Sequence, residues 1–579
     1  MKDTQNARGN ALTLTRILSR SGAARGVLGK IAAAHGGTAK AVVALQTDPY
    51  IVLRDAGSSL DVADTVAETL RIPIHVRVLG HAEWALSSRS MIAMPMLVAK
   101  VRFGLECPER TARTLLMKSV EAGHLIEARG QIVSGSHHAK NVEIARETQR
   151  RTAPCHNQEM IDAFATIDAT TMTPEQTEAL TCITRSKLSI ITGGPGTGKS
   201  HLVREMVAAF PRTKVTAPTG RAARNASGKT VHYFRTIQET GKNDFVGVGL
   251  IVCDEASMLS TELMASVLHM APSDAHIVLV GDCDQLPPID AGAVLHDLIA
   301  CGKVPVTTLT TNHRSTTGIQ DFARGILEGR VEHVPDIEFV DCDTFDDVVQ
   351  AIARLDLQDH IVLTPHNVTR VRLNKSLQLL ALGRDDELEI ELLKPFPDAP
   401  SGSRGVARVA GGWVAVAVDG NVTFNATLSA ASEMIKIDTR CTGGTAAEAG
   451  LIIVPGDAVI ITKNSTEACN GDIGTYVSSS GQDNTVSFPD MGDVIVPSVS
   501  ETDPGMTLAY AVTVHKAQGS EFETVVLPIT HANAWSRALM YTAVTRAKAK
   551  VYVLGSRDDM KEIALTIRAS QPSILRDLL

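Results

Sequence analysis

The chain is short of several features whose absence narrows its class. No apolar run approaches the roughly 18 residues that a membrane-spanning helix needs, so a soluble protein without membrane partners is expected. Its 9 cysteines form no C-x-x-C pair and no zinc-type spacing, which fits structural thiols in a reducing, cytoplasmic setting. A basic excess is also missing: 56 Lys and Arg stand against 64 Asp and Glu, a net charge of −8. That excludes coating nucleic acid by bulk charge, while leaving room for a locally basic channel in an acidic shell. No internal repeat of fixed period is visible. What remains is ordinary globular material, 579 residues with 44% hydrophobic and 21% charged. At about 150 residues per unit, roughly four structural units are expected, each with its own core.

The basic N-terminus, with Lys2, Arg8, Arg16, Arg20, Arg25 and Lys30 against Asp3, reads as a helix that packs or touches nucleic acid, or as a transit-like leader. Residues 1–168 alternate helical periodicity with polar breaks, as in Leu60, Val62, Ala63, Val66, Ala67 and Leu70. From Lys187 short β-branched runs alternate with helices (Leu188–Thr192, Lys214–Ala217, Leu250–Cys253, His276–Val280), the pattern of a parallel sheet covered on both faces. A second such unit starts near Val304, is interrupted, and resumes at Met506. The expected division is 1–168 helical, 169–303 the first α/β unit, 304–380 with 506–579 the second, 381–452 an unassigned partly β insert, and 453–505 a small β-barrel.

Gly193-Gly194-Pro195-Gly196-Thr197-Gly198-Lys199-Ser200 fits G-x-x-x-x-G-K-[ST] without mismatch, between a predicted strand and a predicted helix. Glycines let backbone N–H groups turn around phosphate oxygens, and the helix N-terminus adds partial positive charge. Lys199 would reach the β- and γ-phosphates and Ser200 would ligate Mg²⁺. About 55 residues on, the apolar strand Leu250–Cys253 ends in Asp254-Glu255. Asp254 suits Mg²⁺ held through water, and Glu255 suits the base that polarises attacking water. These motifs together say NTPase, with ATP and Mg²⁺ as cofactors.

Six further segments carry a resemblance. They are Thr173-Pro174-Glu175-Gln176, Ala217-Pro218-Thr219-Gly220-Arg221-Ala222-Ala223, Asp254–Met258, Gly281–Pro288 with Gln285, Val512–Phe522, and Tyr541–Ala547 with Arg546. In this order, with the phosphate loop, the chain resembles the RecD-like group of superfamily 1 helicases over about residues 170–579. The resemblance implies two RecA-like P-loop NTPase domains of α/β class, a mainly helical N-terminal domain, and a small SH3-like β-barrel inserted in the second motor domain. It implies that Gln176 reads adenine, Gln285 senses the γ-phosphate, Gly519 and Glu521 lie at the nucleotide, and Arg314 and Arg546 reach across the cleft. His313-Arg314-Ser315 departs from the family's Phe-Arg-Gln. Strand contacts are implied for Pro218, Thr219, Gly220 and Arg221, for His232, and for Thr513, His515 and Lys516, mostly to phosphates. Thr364-Pro365-His366 and Asn374 resemble a further block, whose role could be DNA contact or packing.

Asp48-Pro49-Tyr50, Asp61–Asp64 and Gly80-His81 resemble the N-terminal region of stand-alone RecD-like helicases. Gly36-Gly37 looks like a helix-hairpin-helix there, and Met91–Ile132 is winged-helix-like. Asn470-Gly471-Asp472-Ile473-Gly474 resembles the entry of the family's barrel. Only 17 residues, Tyr233 to Gly249, separate His232 from Leu250, so any strand-splitting pin must be a short hairpin. Trp413, in the insert, suits packing, base stacking or a partner.

The resemblance implies an ATP-dependent 5′→3′ DNA helicase or translocase acting on single-stranded DNA and single/double-strand junctions, in repair, recombination or replication. A bacterial, phage or plasmid context and recombination or replication partners fit. The alternatives are a motor subunit of a helicase–nuclease complex, a translocase that unwinds only with a partner, an RNA substrate, and a non-catalytic clamp. The clamp predicts loss of Lys199, Glu255 or Arg546, and all three are present.

Overall fold

The computed structural model describes residues 18, 26–35, 37–56, 58–87, 89–241, 244–311, 317–355, 360–383, 388–393, 401, 403–410, 413–418, 421–433, 435–437, 445–446, 452–465, 467–481, 483–499, 503–567 and 573–579. At its centre a six-stranded parallel sheet runs, edge to edge, Lys229–Thr230, Thr213–Ala217, Leu250–Cys253, His276–Gly281, Leu188–Gly193, Val306–Leu309. The apolar runs read in the sequence are continuous because both faces are covered. Alternate residues divide between two cores: Leu188, Ile190, Ile251, Cys253, Ile277 and Leu279 on one face, Ile191, Leu250, Val252, Val278 and Val280 on the other. The first motor extends past the expected boundary at 303, since Val306–Leu309 pairs with Ile190–Gly193. A Pro- and Gly-flanked connection reads like a domain break, but an edge strand returning to the same sheet has no local signature.

The second parallel sheet has five strands in the order Ile337–Val340, Ala547–Leu554, Phe522–Pro528, His360–Thr364, Ala511–Thr513. The chain leaves it through the helix Asn367–Gly383 and returns at Ala511. Between them, among the described residues, lie two five-stranded antiparallel sheets and the two-stranded pairing of Thr445–Ala446 with Ile452–Ile453. The first, ordered Asn421–Thr427, Trp413–Val418, Arg404–Ala410, Leu388–Leu392, Ile435–Ile437, shares a core with the second motor domain through Ile390, Val414, Leu377 and Val526. It occupies the unassigned insert; the Trp413 side chain lies outside what is described.

The second antiparallel sheet is ordered Gly492–Pro497, Asp483–Phe488, Ile473–Ser480, Ala458–Ile461, Met506–Leu508, around Tyr476, Val486 and Val459. Met506–Leu508 pairs with Val459–Ile461, so this β domain ends beyond the expected 505. A buried carboxylate seats it on the second motor. Asp457 accepts hydrogen bonds from Tyr510 Oη (2.8 Å), Gln378 Nε2 (2.5 Å) and Val454 N (2.7 Å).

The N-terminal region is helical from Gly26 to Ser87, followed by strand Ile92–Ala93, helices Met94–Leu105 and Glu109–Glu121, and strands Leu125–Ala128 and Gln131–Ser134 in a three-stranded sheet. The quoted N-terminal residues build one polar network. Asp48 caps the helix Pro49–Asp55, and Asp64 accepts from Tyr50 Oη (2.6 Å) and pairs with His81 Nε2 (2.8 Å). A Cβ on Gly80 would strike the Tyr50 ring, which is why glycine stands there. Gly36 and the basic residues Lys2, Arg8, Arg16, Arg20 and Arg25 lie outside the described residues.

The helix Gly135–Arg151 docks this region onto the first motor, where buried Arg151 donates to the Ala275 and Pro272 carbonyls. The short helix Ile574–Leu578, beyond the second motor, packs back on Gly135–Arg151 and Val294–Ala300 of the first. No helix among the described residues is long and apolar enough to cross a membrane.

Candidate nucleotide site and strand groove

Three neighbouring strands of the first sheet end at one edge and deliver the site. Leu188–Gly193 opens the phosphate loop, Leu250–Cys253 ends at Asp254-Glu255, and His276–Gly281 ends at Asp282. The loop needs its glycines. Gly196 (φ +78°) and Gly198 (φ +84°) are left-handed, and a Cβ on Gly193 would stand 2.6 Å from the Leu309 carbonyl oxygen. Pro195 and Thr197 complete the turn, and Thr197 Oγ1 donates to the Gly194 carbonyl (2.8 Å).

Lys199 Nζ donates to the Gly193 and Gly194 carbonyls (2.6 and 2.8 Å). Burial lowers its pKa, against the pull of Asp282, Glu255 and Asp254. Burial, then Glu255 beside it, pushes Asp254 up to about 7. Glu255 itself sits at φ +50°, a left-handed conformation that costs a non-glycine residue about 1–3 kcal/mol and recurs at functional sites. Ser200 is exposed on the first turn of the helix Lys199–Ala209. This cradle fits a polyphosphate: a cation among backbone carbonyls, N–H groups at a helix start, and three carboxylates acting on the cation. Lys199 and Gly193–Ser200 would hold the nucleotide, and Ser200 and Asp254 a divalent cation.

The second motor closes on this edge. Tyr541 Oη donates to Asp282 Oδ2 (2.9 Å), and a Cβ on Gly194 would lie 3.5 Å from that hydroxyl. Gln285 Nε2 donates to the same Asp282 oxygen (3.1 Å), and Leu286 N donates to Thr542 Oγ1 (3.0 Å). Arg546 is buried, donating to the Thr542 and Ser520 carbonyls (3.1 and 3.3 Å), and its charge is felt at Lys199. Tyr541 was read only as part of a motif. Its role needs the fold, since 259 residues separate it from Asp282.

Other expected residues land differently. Gln176 is buried in a capping box, its Oε1 accepting from Thr173 N (2.9 Å) and its Nε2 reaching the Gly198 carbonyl (3.4 Å), so it ties helix Pro174–Arg185 to the phosphate loop. Gly519 (φ +76°) packs on Ala222 and accepts from Asn225 Nδ2 (3.1 Å), and the Glu521 charge acts on Arg221. Neighbouring Ser520 faces Arg546, so one turn faces both sites, which sequence adjacency hides. Arg314 lies outside the described residues.

On the strand side, Pro218 precedes Thr219, which caps the helix Gly220–Asn225. Thr513 Oγ1 accepts from Lys516 N (3.4 Å), and burial with repulsion from His366 lowers the His515 pKa. Asn374 is a packing residue, exchanging two hydrogen bonds with Ala511 (2.8 and 2.9 Å). His232 begins the helix Val231–Glu239, and no strand occurs among the described residues between Thr230 and Leu250. Any pin here would have to be a short hairpin; the described residues form the helix Val231–Glu239 instead, followed by buried Phe245 and Val248.

Fold and site together define a two-domain α/β P-loop protein. Residues 171–343 match the AAA domain model, and 508–554 match the UvrD-like helicase C-terminal domain. The chain is 30% identical over 405 residues to the ATP-dependent RecD2 DNA helicase of Deinococcus radiodurans, covering 66% of this chain and 49% of that protein. It is 29% identical over 458 residues to the RecBCD enzyme subunit RecD of Mycobacterium tuberculosis, covering 69% and 72%. A crystal structure of Pif1 helicase from Bacteroides with ADP-AlF3 and ssDNA overlaps 69% of this chain and 94% of its own, at 16% identity and a TM-score of 0.43. The chain is thus similar to RecD-type helicases over about two thirds of its length. It spans about half the length of the Deinococcus relative.

Proposed function

We propose that the chain is an ATP-dependent DNA helicase that moves 5′→3′ along single-stranded DNA and opens duplex at a junction. One observation carries the coupling: the Tyr541 hydroxyl of the second motor bonds Asp282 of the first, beside the phosphate loop. Groups supplied by both domains then stabilise charge on the transferred phosphoryl only when the cleft is shut. In this reading Lys199 and Arg546 neutralise that charge, with Arg314 from the second motor. Gln285 reports the γ-phosphate through Asp282, Glu255 accepts the proton of the attacking water, and Gln176 orients the nucleotide end of the loop. Ser200 and Asp254 would hold Mg²⁺, which would supply further charge neutralisation. The strand contacts are Pro218, Thr219, Gly220 and Arg221 on one motor and Thr513, His515 and Lys516 on the other, with His232 at the margin. Polarity rests on the resemblance to RecD-like proteins, and repair, recombination or replication is the matching context.

A second reading, a translocase or motor subunit that unwinds only with a partner, is favoured by the helix Val231–Glu239, which occupies the stretch where any pin hairpin would have to stand. One experiment separates the two. A duplex with either a 5′ or a 3′ single-stranded tail is given the protein and ATP, with Lys199→Ala as the inactive control. Unwinding from the 5′ tail alone is expected. Strand-stimulated ATP hydrolysis without unwinding would select the second reading, and unwinding from the 3′ tail alone would overturn the polarity.

A further inference from the structure

The groove expected to take the strand is covered. Residues 467–472 of the β domain lie across it, touching the first motor and standing close to the second. On the first motor, a Cβ built on Gly220 would stand 2.9 Å from Cys469 Cβ and 3.3 Å from Asn464 Oδ1, so the helix start is in direct contact with this loop. Arg221, one of the expected phosphate contacts, donates instead to the Gly471 carbonyl (3.3 Å). Arg224 Nη2 pairs with Asp472 Oδ2 at 2.7 Å, and that carboxylate is nearly buried. On the second motor, a Cβ on Gly471 would lie 3.8 Å from the Lys516 carbonyl oxygen.

The loop is built to hold this shape. Cys469 N donates to Asp472 Oδ2 (2.7 Å), Asp472 N returns to the Cys469 carbonyl (3.0 Å), and Asn470 N donates to Asn464 Oδ1 (2.7 Å). Gly471 takes φ +97°, a conformation that only glycine adopts cheaply. A rigid loop thus fills the space between Gly220 and Lys516, pinned to the first motor by one charged pair.

We propose, resting on the strand-binding reading above, that residues 467–472 form a gate over the strand groove and that Arg224–Asp472 is its latch. In the closed state the gate covers Arg221 and takes up one of its N–H donors with the Gly471 carbonyl. A strand enters when the latch breaks and the β domain lifts, freeing Arg221 for phosphate. The apparent strand affinity is then the intrinsic one reduced by the fraction of open molecules. Arg224 and Asp472 are positioning residues: they set that fraction, and neither sits at the nucleotide.

The test uses the full chain and a fluorescent oligothymidylate, with association followed by stopped flow. Arg224→Ala opens the latch from the motor side and leaves the Cys469–Asp472 bond in the loop intact. Asp472→Asn opens it from the loop side. Losing a charge-assisted hydrogen bond corresponds to about a tenfold or greater change in an equilibrium constant. Both variants are expected to associate about tenfold faster and bind more tightly, with ATP hydrolysis in the absence of DNA unchanged. The double variant should be no faster than either single one, because one latch can be removed only once. Strand binding at the parental rate or slower in both single variants overturns the gate and leaves the strand reading standing. No strand binding by the parent or any variant overturns both.

Discussion

Tyr541 is the residue on which closure of the cleft turns. Burial and the Asp282 carboxylate raise its pKa, so the hydroxyl stays protonated and donates at any working pH. Asp282 also takes the Gln285 side chain, so one carboxylate joins the candidate γ-phosphate reporter to the opposite motor. Tyr541→Phe keeps the ring packing and removes only that bond. Its expected effect is a kcat for ATP hydrolysis lowered about tenfold or more, with KM for ATP nearly unchanged, because the bond forms across the closed cleft. Steady-state kinetics with saturating single-stranded DNA checks this; an unchanged kcat would reduce Tyr541 to packing. Lys199, by contrast, was legible at once, since the whole loop is local and each glycine answers a local backbone need.

At the scale of elements, the seat of the β domain rests on Asp457, which is fully buried among three donors. Burial raises its pKa from 3.8 to about 6, because desolvation outweighs those hydrogen bonds. A raised folded-state value means that the native state binds this proton more tightly than the unfolded chain. The resulting stabilisation is full below about pH 4 and is lost as the pH rises through about 6. Its size is at most about 3 kcal/mol, from 1.36 kcal/mol per unit. Thermal unfolding of the parent and Asp457→Asn should therefore show a stability difference that changes between pH 4.5 and 7; parallel curves would refute the account. Nothing in the sequence singled out Asp457. An aspartate after Gly456 reads as a turn residue, and its partners Gln378 and Tyr510 come from 79 and 53 residues away.

For the whole molecule, the strap Ile574–Leu578 ties the far end of the chain to the first motor and the N-terminal region. Leu575 is buried in the first motor's core, Ile574 packs with Met91 and Val133, and Asp577 pairs with Arg129 of the hairpin turn. The two motors are thus joined at the cleft by Tyr541 and behind it by this helix. Leu575→Ala removes a fully buried side chain and should cost about 2–5 kcal/mol. Urea unfolding checks the cost. Because the strap spans domains, limited proteolysis of the variant should also cut between the motors faster than in the parent. Equal cleavage would mean that the strap stabilises the first motor alone.

Local chemistry was legible without the fold. The phosphate loop, the acidic pair and the parallel-strand texture depend on neighbours in sequence, on glycine conformations and on apolar runs, so Gly193–Ser200, Asp254 and Glu255 declared themselves. The two α/β units and the interruption of the second were legible for the same reason, apart from the edge strands Val306–Leu309 and Met506–Leu508. Those are too short to show which sheet they join, and only pairing decides that. Tertiary structure alone decided the rest. It tied Gln176 to the Gly198 carbonyl, set Gly519 against Asn225, and laid residues 467–472 on Gly220 and Arg221. Each of these depends on contacts between groups from about 20 to 300 residues apart. Long-range burial and hydrogen bonding set such contacts, and no local pattern encodes them.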